Sequence, residues 1–251
     1  MISIVIASKN KDDLERCQRS IAETIGVEYE VLVTENSKGM IPLTKVYNDG
    51  ARNAMYGVVC FVHEDVEFKK QGWGRALLRL LADTRVGVVG VVGSTYFPEN
   101  GAWASPGVPF IKGRIIHVSP QVDLDQIDLF SEELGDVDVV TVDGVFMGTR
   151  KDVVEEVGFD EATFDGFHFY DADFCVRVAQ QYRVVVTTGI LLKHYSHGTH
   201  DEAWNLYKER FIEKHKALLP FTNQEKKPHW KDIKTWQVKY LLYKKDGSLR
   251  P

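Results

Sequence analysis

Three short segments of the sequence bring together residue types that hold cations or transfer protons. Residues 63–65 read His-Glu-Asp, residues 167–177 place Asp171 and Asp173 among aromatic residues, and residues 193–200 contain three histidines. Carboxylates and neutral imidazoles commonly bind divalent metals, and both can act as general bases near neutral pH. The sequence therefore offers candidates for a metal site and for a proton acceptor.

The segment 63–65 is a candidate for neutralising a bound phosphate group. Neither a G-x-G-x-x-G fingerprint after the first predicted strand nor a G-x-x-x-x-G-K-[ST] loop occurs, so two common backbone cradles for phosphate are missing. A divalent cation held by carboxylates and phosphate oxygens is the usual alternative. We therefore expect Asp65 to bind Mn²⁺ or Mg²⁺. The competing interpretation is that His63, Glu64 and Asp65 only form the polar start of a loop.

The other two segments each allow a structural and a chemical interpretation. Asp171 and Asp173 stand at the head of a predicted helix, where capping would be a sufficient reason for carboxylates. Capping does not explain the surrounding aromatics, which predict a partly apolar pocket where the pKa of a carboxylate rises and it can act as a general base. A lone histidine is usually structural, but one of His194, His197 and His200 is expected to bind a metal.

The elements that position these segments follow from alternating β-branched runs and amphipathic stretches, which predict an α/β fold with a mostly parallel sheet flanked by helices. Strands are predicted at residues 2–7, 29–34, 58–62, 86–92, 137–142, 145–147, 184–187 and 190–193. Helices are predicted from an Asn10 N-cap to Gly26, over 43–54, 73–81 and 174–181, from about Lys151, and from His200 to about Lys216.

Polar residues directly follow each of the first three predicted strands. These residues are Ser8, Lys9, Asn10, Glu35, Asn36, Ser37, His63, Glu64 and Asp65. Because ligands bind beyond the carboxyl ends of the strands in open α/β sheets, we expect all three strand ends to converge on one crevice.

Residues 93–114 interrupt the regular alternation. They are rich in glycine and proline and too long for an ordinary connection, so we expect an irregular functional loop or a local excursion. Tyr96, Trp103 and Phe110 could line a pocket within it.

Composition limits the classes of function. The chain has 251 residues, 44% of them hydrophobic, which suits one large α/β domain with or without a C-terminal appendage. A formal net charge of -5 argues against nucleic acid as the main partner. The apolar run at residues 1–8 is too short for a signal peptide or a membrane span, which predicts a cytoplasmic protein. Cys17, Cys60 and Cys175 are predicted to be buried thiols.

The C-terminal residues 201–251 are predicted to form a helix followed by a basic, aromatic tail. The tail carries Lys226, Lys227, Trp230, Lys231, Lys234, Trp236, Lys239, Lys244 and Lys245. Such charge runs are usually just solvated. The alternative is peripheral contact with an anionic membrane, at the inner membrane face for a cytoplasmic protein.

Taken in order, several motifs resemble those of the family-two glycosyltransferases of the glycosyltransferase-A fold, particularly their small bacterial glycosyltransferase-like branch. The matching pieces are SIVIASKN, TENS, YNDGARNA, FVHEDVEF, VDGVFMGTRKDVVEEVGFDE, FHFYDADFCVRV and LKHYSHGTH. The resemblance implies one nucleotide-diphospho-sugar transferase domain over residues 1–200. Within it, residues 1–92 would be the nucleotide-binding half and residues 93–200 the sugar and acceptor half, followed by the appendage 201–251.

The resemblance also implies roles for individual residues. Asp171 would be the catalytic base, Asp65 the metal ligand of the family's Asp-x-Asp motif, and His194 a further metal ligand. Together with the strand-end residues, the expected contacts of the nucleotide-sugar are Ala7, Ser8, Asn10, Glu35, Asn48, Gly50, His63, Glu64, Asp143 and Gly144. Asp143 has an equally good alternative as the cap of a turn.

Two residues depart from the family pattern. His63 stands where the first acid of the Asp-x-Asp motif is expected, which removes one negative charge from the cation site. Tyr170 stands where a Glu commonly precedes the catalytic Asp, which leaves Asp171 as the expected base.

The expected function is therefore metal-dependent transfer of a sugar, with inversion, from a nucleotide-diphosphate sugar to an acceptor hydroxyl. A UDP-sugar is preferred through the resemblance, and the acceptor is a saccharide, lipid or protein that the sequence does not identify. Two alternatives are a catalytically silent nucleotide- or sugar-binding protein and a nucleotidyltransferase. The glycine-rich loop usual in nucleotidyltransferases is absent from the sequence.

Overall fold

The computed structural model describes residues 1–107, 110–118, 124–129, 135–196, 201–223 and 240–244. Its helices are α1 (Lys11–Thr24), α2 (Leu43–Asn53), α3 (Trp73–Leu81), α4 (Lys151–Val157), α5 (Tyr170–Val178) and α6 (Glu202–His215). Its strands are β1 (Ile2–Ser8), β2 (Tyr29–Glu35), β3 (Val58–His63), β4 (Val66–Phe68), β5 (Val86–Gly90), β6 (Val92–Ser94), β7 (Tyr96–Phe97), β8 (Ile111–Val118), β9 (Leu124–Leu129), β10 (Asp136–Val139), β11 (Thr141–Val142), β12 (Phe146–Arg150), β13 (Arg183–Thr187), β14 (Leu192–His194), β15 (Phe221–Thr222) and β16 (Tyr240–Lys244).

A seven-stranded central sheet has the strand order β10-β13-β5-β12-β3-β1-β2. Strand β1 runs parallel to β2 and β3, with Ser8 opposite Glu35 and Ala7 opposite His63. The carboxyl ends of these three strands are therefore level at one edge of the sheet, as the sequence predicts. Strand β12 runs antiparallel to β3 and β5, so the sheet as a whole is mixed. The α/β fold class is confirmed.

A second sheet, also of seven strands, has the order β11-β6-β8-β14-β4, with β9 pairing with β8 and β16 pairing with β9. Its strand β14 pairs with β4 so that His194 lies opposite Val66, directly after the segment 63–65. The backbone N–H of Tyr195 donates to the carbonyl of Asp65 over 3.0 Å. This pairing brings residues 193–195, far away in the sequence, to the end of β3.

One prediction about residues 86–114 is wrong, and a second is right only for the described residues between β7 and β8. The predicted single strand 86–92 is divided at Val91, because β5 pairs within the central sheet whereas β6 pairs with β8 and β11 in the second sheet. Residues 93–114, predicted to be irregular, contain the end of β6, all of β7 and the start of β8. Gly93 permits this pairing, since a Cβ there would lie 2.1 Å from the carbonyl oxygen of Thr141.

Helices cover both faces of the central sheet. Apolar residues of α1 and α3 pack on one face, and those of α2, α4 and α5 pack on the other. The predicted N-cap of α1 is present, since the side chain of Asn10 accepts from the backbone N–H groups of Asp12 and Asp13. Cys17, Cys60 and Cys175 are buried free thiols, as predicted.

The helix α6 packs on the α/β domain through a third apolar cluster. Phe211 of α6 lies in this cluster with Phe97, Phe164 and Phe169. The buried carboxylate of Asp173 on α5 is paired with Arg177, Lys214 and His215. Lys214 and His215 are the last two residues of α6. The helix is therefore built into the fold that holds the candidate site.

Some expectations concern residues outside the described part of the chain. These are His197 and His200 of the histidine segment and the tail residues from Lys226 to Lys239 with Lys245, while Lys244 is described only as part of the backbone of β16. Among the helices that the structure describes, none has the length and apolarity needed to cross a membrane.

Candidate functional site

A crevice with a volume of about 290 Å³ lies beyond the carboxyl ends of β1, β2 and β3. Its lining residues come from these strand ends, the N-terminal parts of α1 and α2, the turn before α2, and the segment before α5. They are Ala7, Lys9, Asp13, Asn36, Gly39, Met40, Ile41, Pro42, Leu43, Tyr47, His63, Glu64, Asp65, Asp165, Gly166 and Phe167. The expected convergence of three strand ends on one crevice is observed.

Glu64 fastens the end of β3 to the turn that follows β1. Its carboxylate accepts a hydrogen bond of 2.7 Å from Ser8 Oγ and one of 2.8 Å from the backbone N–H of Lys9. The backbone N–H of Asn10 also donates to it over 3.1 Å. Three of the expected nucleotide contacts are thus linked, since Ser8 and Asn10 both donate to Glu64, and of the three Glu64 lines the crevice.

His63, Asp65 and His194 form a cluster that suits a divalent cation. Asp65 Oδ1 lies 4.0 Å from His63 Nδ1 and 3.4 Å from His194 Nε2, and the ligand atoms of all three lie within 4.8 Å of one another. His194 Nε2 is buried and has no hydrogen-bond partner among the described residues. An unpaired buried nitrogen that faces a carboxylate is a costly arrangement unless a ligand satisfies it.

The charge state of the cluster also suits a cation. Burial raises the pKa of Asp65, but the nearby imidazoles of His194 and His63 outweigh burial, so the pKa lies below its ordinary value. Burial lowers the pKa of His63, which favours the neutral imidazole that metals require. One carboxylate and two imidazoles are therefore the available ligands, and they fit a divalent metal.

Tyr170 connects the cluster to α5. Its hydroxyl lies 2.8 Å from His63 Nε2, the ring nitrogen that faces away from Asp65. Tyr170 is the first residue of α5 and follows Phe169, a non-glycine residue with a left-handed φ of 64°. Such backbone outliers cost of order 1 kcal/mol or more and are frequent at functional sites. The helix therefore begins four residues before its predicted start at Phe174, because the backbone turns at Phe169.

Asp171 follows Tyr170 in the chain, and it is only partly exposed to solvent. Its carboxylate accepts a 2.8 Å hydrogen bond from the backbone N–H of Gly144. Burial, helped by the nearby charge of Asp143, raises the pKa of Asp171 to about 7. A carboxyl group with this pKa is ionised at slightly alkaline pH and is basic enough to accept a proton.

Gly144 and Asp143 make the turn that supports Asp171. A Cβ at position 144 would lie 2.2 Å from Tyr170 Oη, so only glycine lets the turn approach the start of α5. Asp143 Oδ1 accepts from the backbone N–H of Val145 over 2.9 Å, which is the turn-capping role that the sequence left open.

Several residues with expected site roles lie outside the lining of the crevice. Glu35 accepts a hydrogen bond from Ser37 at the end of β2. Asn48 joins α2 to the backbone of Phe159, and Gly50 lets α2 pack against β1, since a Cβ there would lie 2.4 Å from Val5. Tyr96, Trp103 and Phe110, expected to line a pocket, are likewise absent from the crevice lining.

Three other residues line the crevice although no individual role in binding the nucleotide-sugar or the metal was predicted for them. Asn36 closes the turn before α2 through hydrogen bonds of 2.8 and 3.0 Å with the backbone of Ile41. Lys9 Nζ lies 5.6 Å from the centroid of the Phe167 ring, which is 48% exposed at the rim. Lys9 and Asn36 follow predicted strands and Phe167 stands in the aromatic motif, so strand-end position was the signal for two of the three.

Comparison with solved structures shows the fold at low sequence identity. The structure of GalNAc-T7 with UDP, GalNAc and Mn²⁺ matches with a TM-score of 0.57 and 11% identity over 81% of this chain and 45% of that chain. The mannosyltransferase PcManGT from Pyrobaculum calidifontis, in complex with GDP-Man and Mn²⁺, matches with a TM-score of 0.55 and 13% identity over 92% of this chain and 67% of that chain. The present chain therefore spans less than half of the GalNAc-T7 chain.

Comparison with curated proteins found no match. The family model described as "Glycosyltransferase like family" matches residues 3–226, which includes the strand ends, the metal-binding cluster, Asp171 and α6. The nucleotidyltransferase alternative receives no support from this match. The chain belongs to the glycosyltransferase-like family and has the glycosyltransferase-A fold.

Proposed function

We propose that the protein transfers a sugar from a nucleotide-diphosphate sugar, preferably a UDP-sugar, to an acceptor hydroxyl in a metal-dependent reaction with inversion. The observation that carries the proposal is the cluster of His63, Asp65 and His194 beside a crevice at the carboxyl ends of β1 to β3. Asp171, next to Tyr170 in the chain, does not itself line the crevice and accepts a hydrogen bond from the backbone N–H of Gly144. Tyr170, whose hydroxyl lies 2.8 Å from His63 Nε2, connects the proposed proton acceptor to the proposed cation site.

The lining of the crevice suits a nucleoside diphosphate. Among the described residues that line it, Lys9 is the only one with a lysine or arginine side chain, and it can face the diphosphate. Met40 and Phe167 are exposed apolar side chains at the rim, where a base can pack. His63, Asp65 and His194 would hold a Mn²⁺ or Mg²⁺ ion, which when bound neutralises the departing diphosphate as a Lewis acid.

Asp171 is proposed to accept the proton of the acceptor hydroxyl. The N–H of Gly144 holds one carboxylate oxygen of Asp171, and this fixes the direction of the other. A hydroxyl is a poor nucleophile until a base removes its proton, and this contributes about 10²–10⁴-fold to such reactions. A single base on one face of the sugar, with the diphosphate leaving on the other, gives a one-step displacement with inversion.

The nucleobase and the sugar of the donor are proposed on grounds other than the geometry of the site. GalNAc-T7 was solved with UDP and PcManGT with GDP-Man, so proteins with this fold accept different nucleotides. The preference for UDP in the present chain is proposed from the resemblance of its motifs to family-two glycosyltransferases. The acceptor, whether saccharide, lipid or protein, is open.

Calorimetric titration of UDP, GDP and dTDP, with and without Mn²⁺, tests the metal site and the nucleotide class together. The wild type should bind UDP at least tenfold more tightly with Mn²⁺, whereas Asp65→Ala should bind it equally in both conditions. Asp49→Ala removes an exposed carboxylate on α2, paired only with Lys45 and Arg52 in the described structure, and should behave as the wild type. Equal UDP affinity of wild type and Asp65→Ala, with and without Mn²⁺, would refute the metal assignment.

A further inference from the structure

The two residues that depart from the family pattern are in contact with each other. His63 replaces an acid of the Asp-x-Asp motif and Tyr170 replaces a common Glu, and 107 positions separate them in the sequence. In the fold, Tyr170 Oη lies 2.8 Å from His63 Nε2.

We propose that Tyr170 positions His63 as a metal ligand through Nδ1, and that this pair makes the site selective for transition-metal ions over Mg²⁺. The proposal rests on the proposed function, since it concerns the same cation site. It assigns to Tyr170 a positioning role and to His63 the choice of metal.

The two ring nitrogens of His63 face different neighbours. In a neutral imidazole one nitrogen carries the proton and the other offers a lone pair. Nε2 faces the hydroxyl of Tyr170, whereas Nδ1 faces Asp65. A proton on Nε2 that is donated to Tyr170 Oη leaves the lone pair on Nδ1, directed at the cluster. Metal-binding histidines are commonly fixed in this way by a partner at the other nitrogen.

The ligand atoms of the cluster are spaced nearly as ligands of one metal ion are. Ligands at about 2.0–2.2 Å from one ion stand about 3.0–3.6 Å apart when they are neighbours in octahedral or tetrahedral geometry. The observed separations from Asp65 Oδ1 are 3.4 Å to His194 Nε2 and 4.0 Å to His63 Nδ1. Small rotations of the side chains therefore bring all three atoms to one ion.

The side chain of Tyr170 is held tightly by its surroundings. Its side chain is 3% exposed, and its ring packs edge-on against Tyr47 with centroids 5.6 Å apart. Gly144 lies against the Tyr170 hydroxyl so closely that a Cβ there would be 2.2 Å away. A hydroxyl held from two sides can fix the ring of His63, whereas an exposed tyrosine could not.

The metal preference follows from the chemistry of the ligands. Mg²⁺ strongly prefers oxygen ligands and is helped by negative charge. Two imidazoles and one carboxylate supply two nitrogen ligands and a single negative charge. Such a set binds transition-metal ions more tightly than Mg²⁺, and its affinity for Co²⁺ exceeds that for Mn²⁺. Replacing an acid by His63 thus weakens Mg²⁺ binding more than Co²⁺ binding.

The test is calorimetric titration of Mg²⁺, Mn²⁺ and Co²⁺ into the full chain without nucleotide. The wild type should bind Co²⁺ at least tenfold more tightly than Mg²⁺. His63→Asp should reduce that ratio at least tenfold, and Tyr170→Phe should weaken Co²⁺ binding by about 10-fold or more, as for other partners of metal-bound histidines. Tyr182→Phe is the matched control, because the Tyr182 hydroxyl bonds Glu156 on the surface and should not affect metal affinity.

A second measurement requires no metal and shows directly whether Tyr170 acts on His63. Nitrogen chemical shifts of the His63 ring in the metal-free wild type should show the proton on Nε2, and in Tyr170→Phe this preference should be lost. Unchanged Co²⁺ affinity and unchanged shifts in Tyr170→Phe would overturn the proposal. If Asp65→Ala bound all three metals as the wild type does, the proposed function would fail instead, so the two failures are distinguishable.

Discussion

At the scale of single residues, Asp171 and Asp173 show how two carboxylates on the first turn of one helix acquire different roles. Asp171 faces the turn at Gly144 and has no cationic partner among the described ion pairs. Asp173 is 1% exposed and is surrounded by Arg177, Lys214 and His215. Burial would raise the pKa of Asp173, but the hydrogen bond with His215 and the interactions with Arg177 and Lys214 outweigh burial and lower it, whereas burial raises the pKa of Asp171.

Substituting each aspartate by asparagine should separate catalysis from stability. Asp171→Asn should lower sugar transfer about 10²-fold or more, leave UDP affinity nearly unchanged, and not lower the unfolding free energy. Asp173→Asn leaves partly buried cations unpaired and should lower the unfolding free energy by about 3 kcal/mol. Urea denaturation and transfer assays of both variants provide the comparison. Normal transfer by Asp171→Asn would favour a silent binding protein or another base.

The pKa of Asp171 predicts a pH dependence of stability in the metal-free protein. Burial raises this pKa to about 7, so the folded chain holds a proton that the unfolded chain releases at about pH 4. The folding free energy contributed by Asp171 is therefore lost progressively between about pH 4 and 7 as pH rises. Urea denaturation across this range should show the wild type losing stability relative to Asp171→Asn. Parallel curves for the two proteins would contradict this.

Gly144 should tolerate no side chain. Gly144→Ala places a Cβ against the Tyr170 hydroxyl and 3.1 Å from Asp171 Cβ, and overpacking of this kind costs about 2 kcal/mol. Gly57→Ala is the control, since nothing lies within 4 Å of a Cβ at that position. Differential scanning calorimetry should show a clearly lower Tm for Gly144→Ala alone. An unchanged Tm would mean that the turn and the start of α5 can move apart freely.

Residues near strand ends could be predicted to lie in the site, but the bonds between distant residues could not. Position after β1 to β3 was sufficient to place His63 and Asp65 beside the crevice. Nothing local in the sequence shows that Tyr170 reaches His63 or that Asn48 bonds Phe159, because these contacts depend on how α5 and α2 pack. Packing orientation is a property of the tertiary fold.

At the scale of elements, the first half of the chain was predicted well because each element carries its own signals. The β1-α1-β2-α2-β3 order follows from β-branched runs and amphipathic stretches, and α3 has its predicted bounds of Trp73–Leu81. The strand predicted at 86–92 failed because its apolar residues give no indication of a change of sheet at Val91. Sequence periodicity detects burial, not the identity of the neighbouring strand.

The N-cap of α1 should contribute to stability separately from the crevice. Asn10→Ala removes the acceptor for the N–H groups of Asp12 and Asp13 and should cost about 1 kcal/mol, whereas Asn10→Ser keeps an acceptor and should cost less. The urea midpoint should fall with an unchanged slope. Equal midpoints for the two variants would show that the backbone hydrogen bonds to Glu64 hold the turn without the cap.

At the scale of the whole molecule, α6 is part of the structure that shapes the crevice. Tyr207 Oη donates a 2.8 Å hydrogen bond to Asp165, and Arg210 donates another of 2.8 Å to the same carboxylate. Asp165 and Phe167 line the crevice. The domain boundary predicted at residue 200 therefore lies between Asp165, which lines the crevice, and the helix α6 that is hydrogen-bonded to it.

Truncation of the chain tests this dependence. A chain that ends after residue 200 should expose the cluster around Phe164 and Phe169, leave Asp173 without two of its partners, and aggregate or unfold. A chain that ends after residue 223 keeps α6 and should give the near-UV circular dichroism of the full chain. A well-folded 1–200 fragment that binds UDP normally would show that α6 is dispensable.

The division of residues 86–94 between two sheets has a consequence for motion. Strands β5 and β6 are separated by Val91 alone, whose side chain is fully buried, and its carbonyl accepts a 3.1 Å hydrogen bond from the N–H of Arg114. A hinge requires a few residues that can change their backbone angles, and this junction has none to spare. The junction between the two sheets is therefore not a place where the chain is expected to bend.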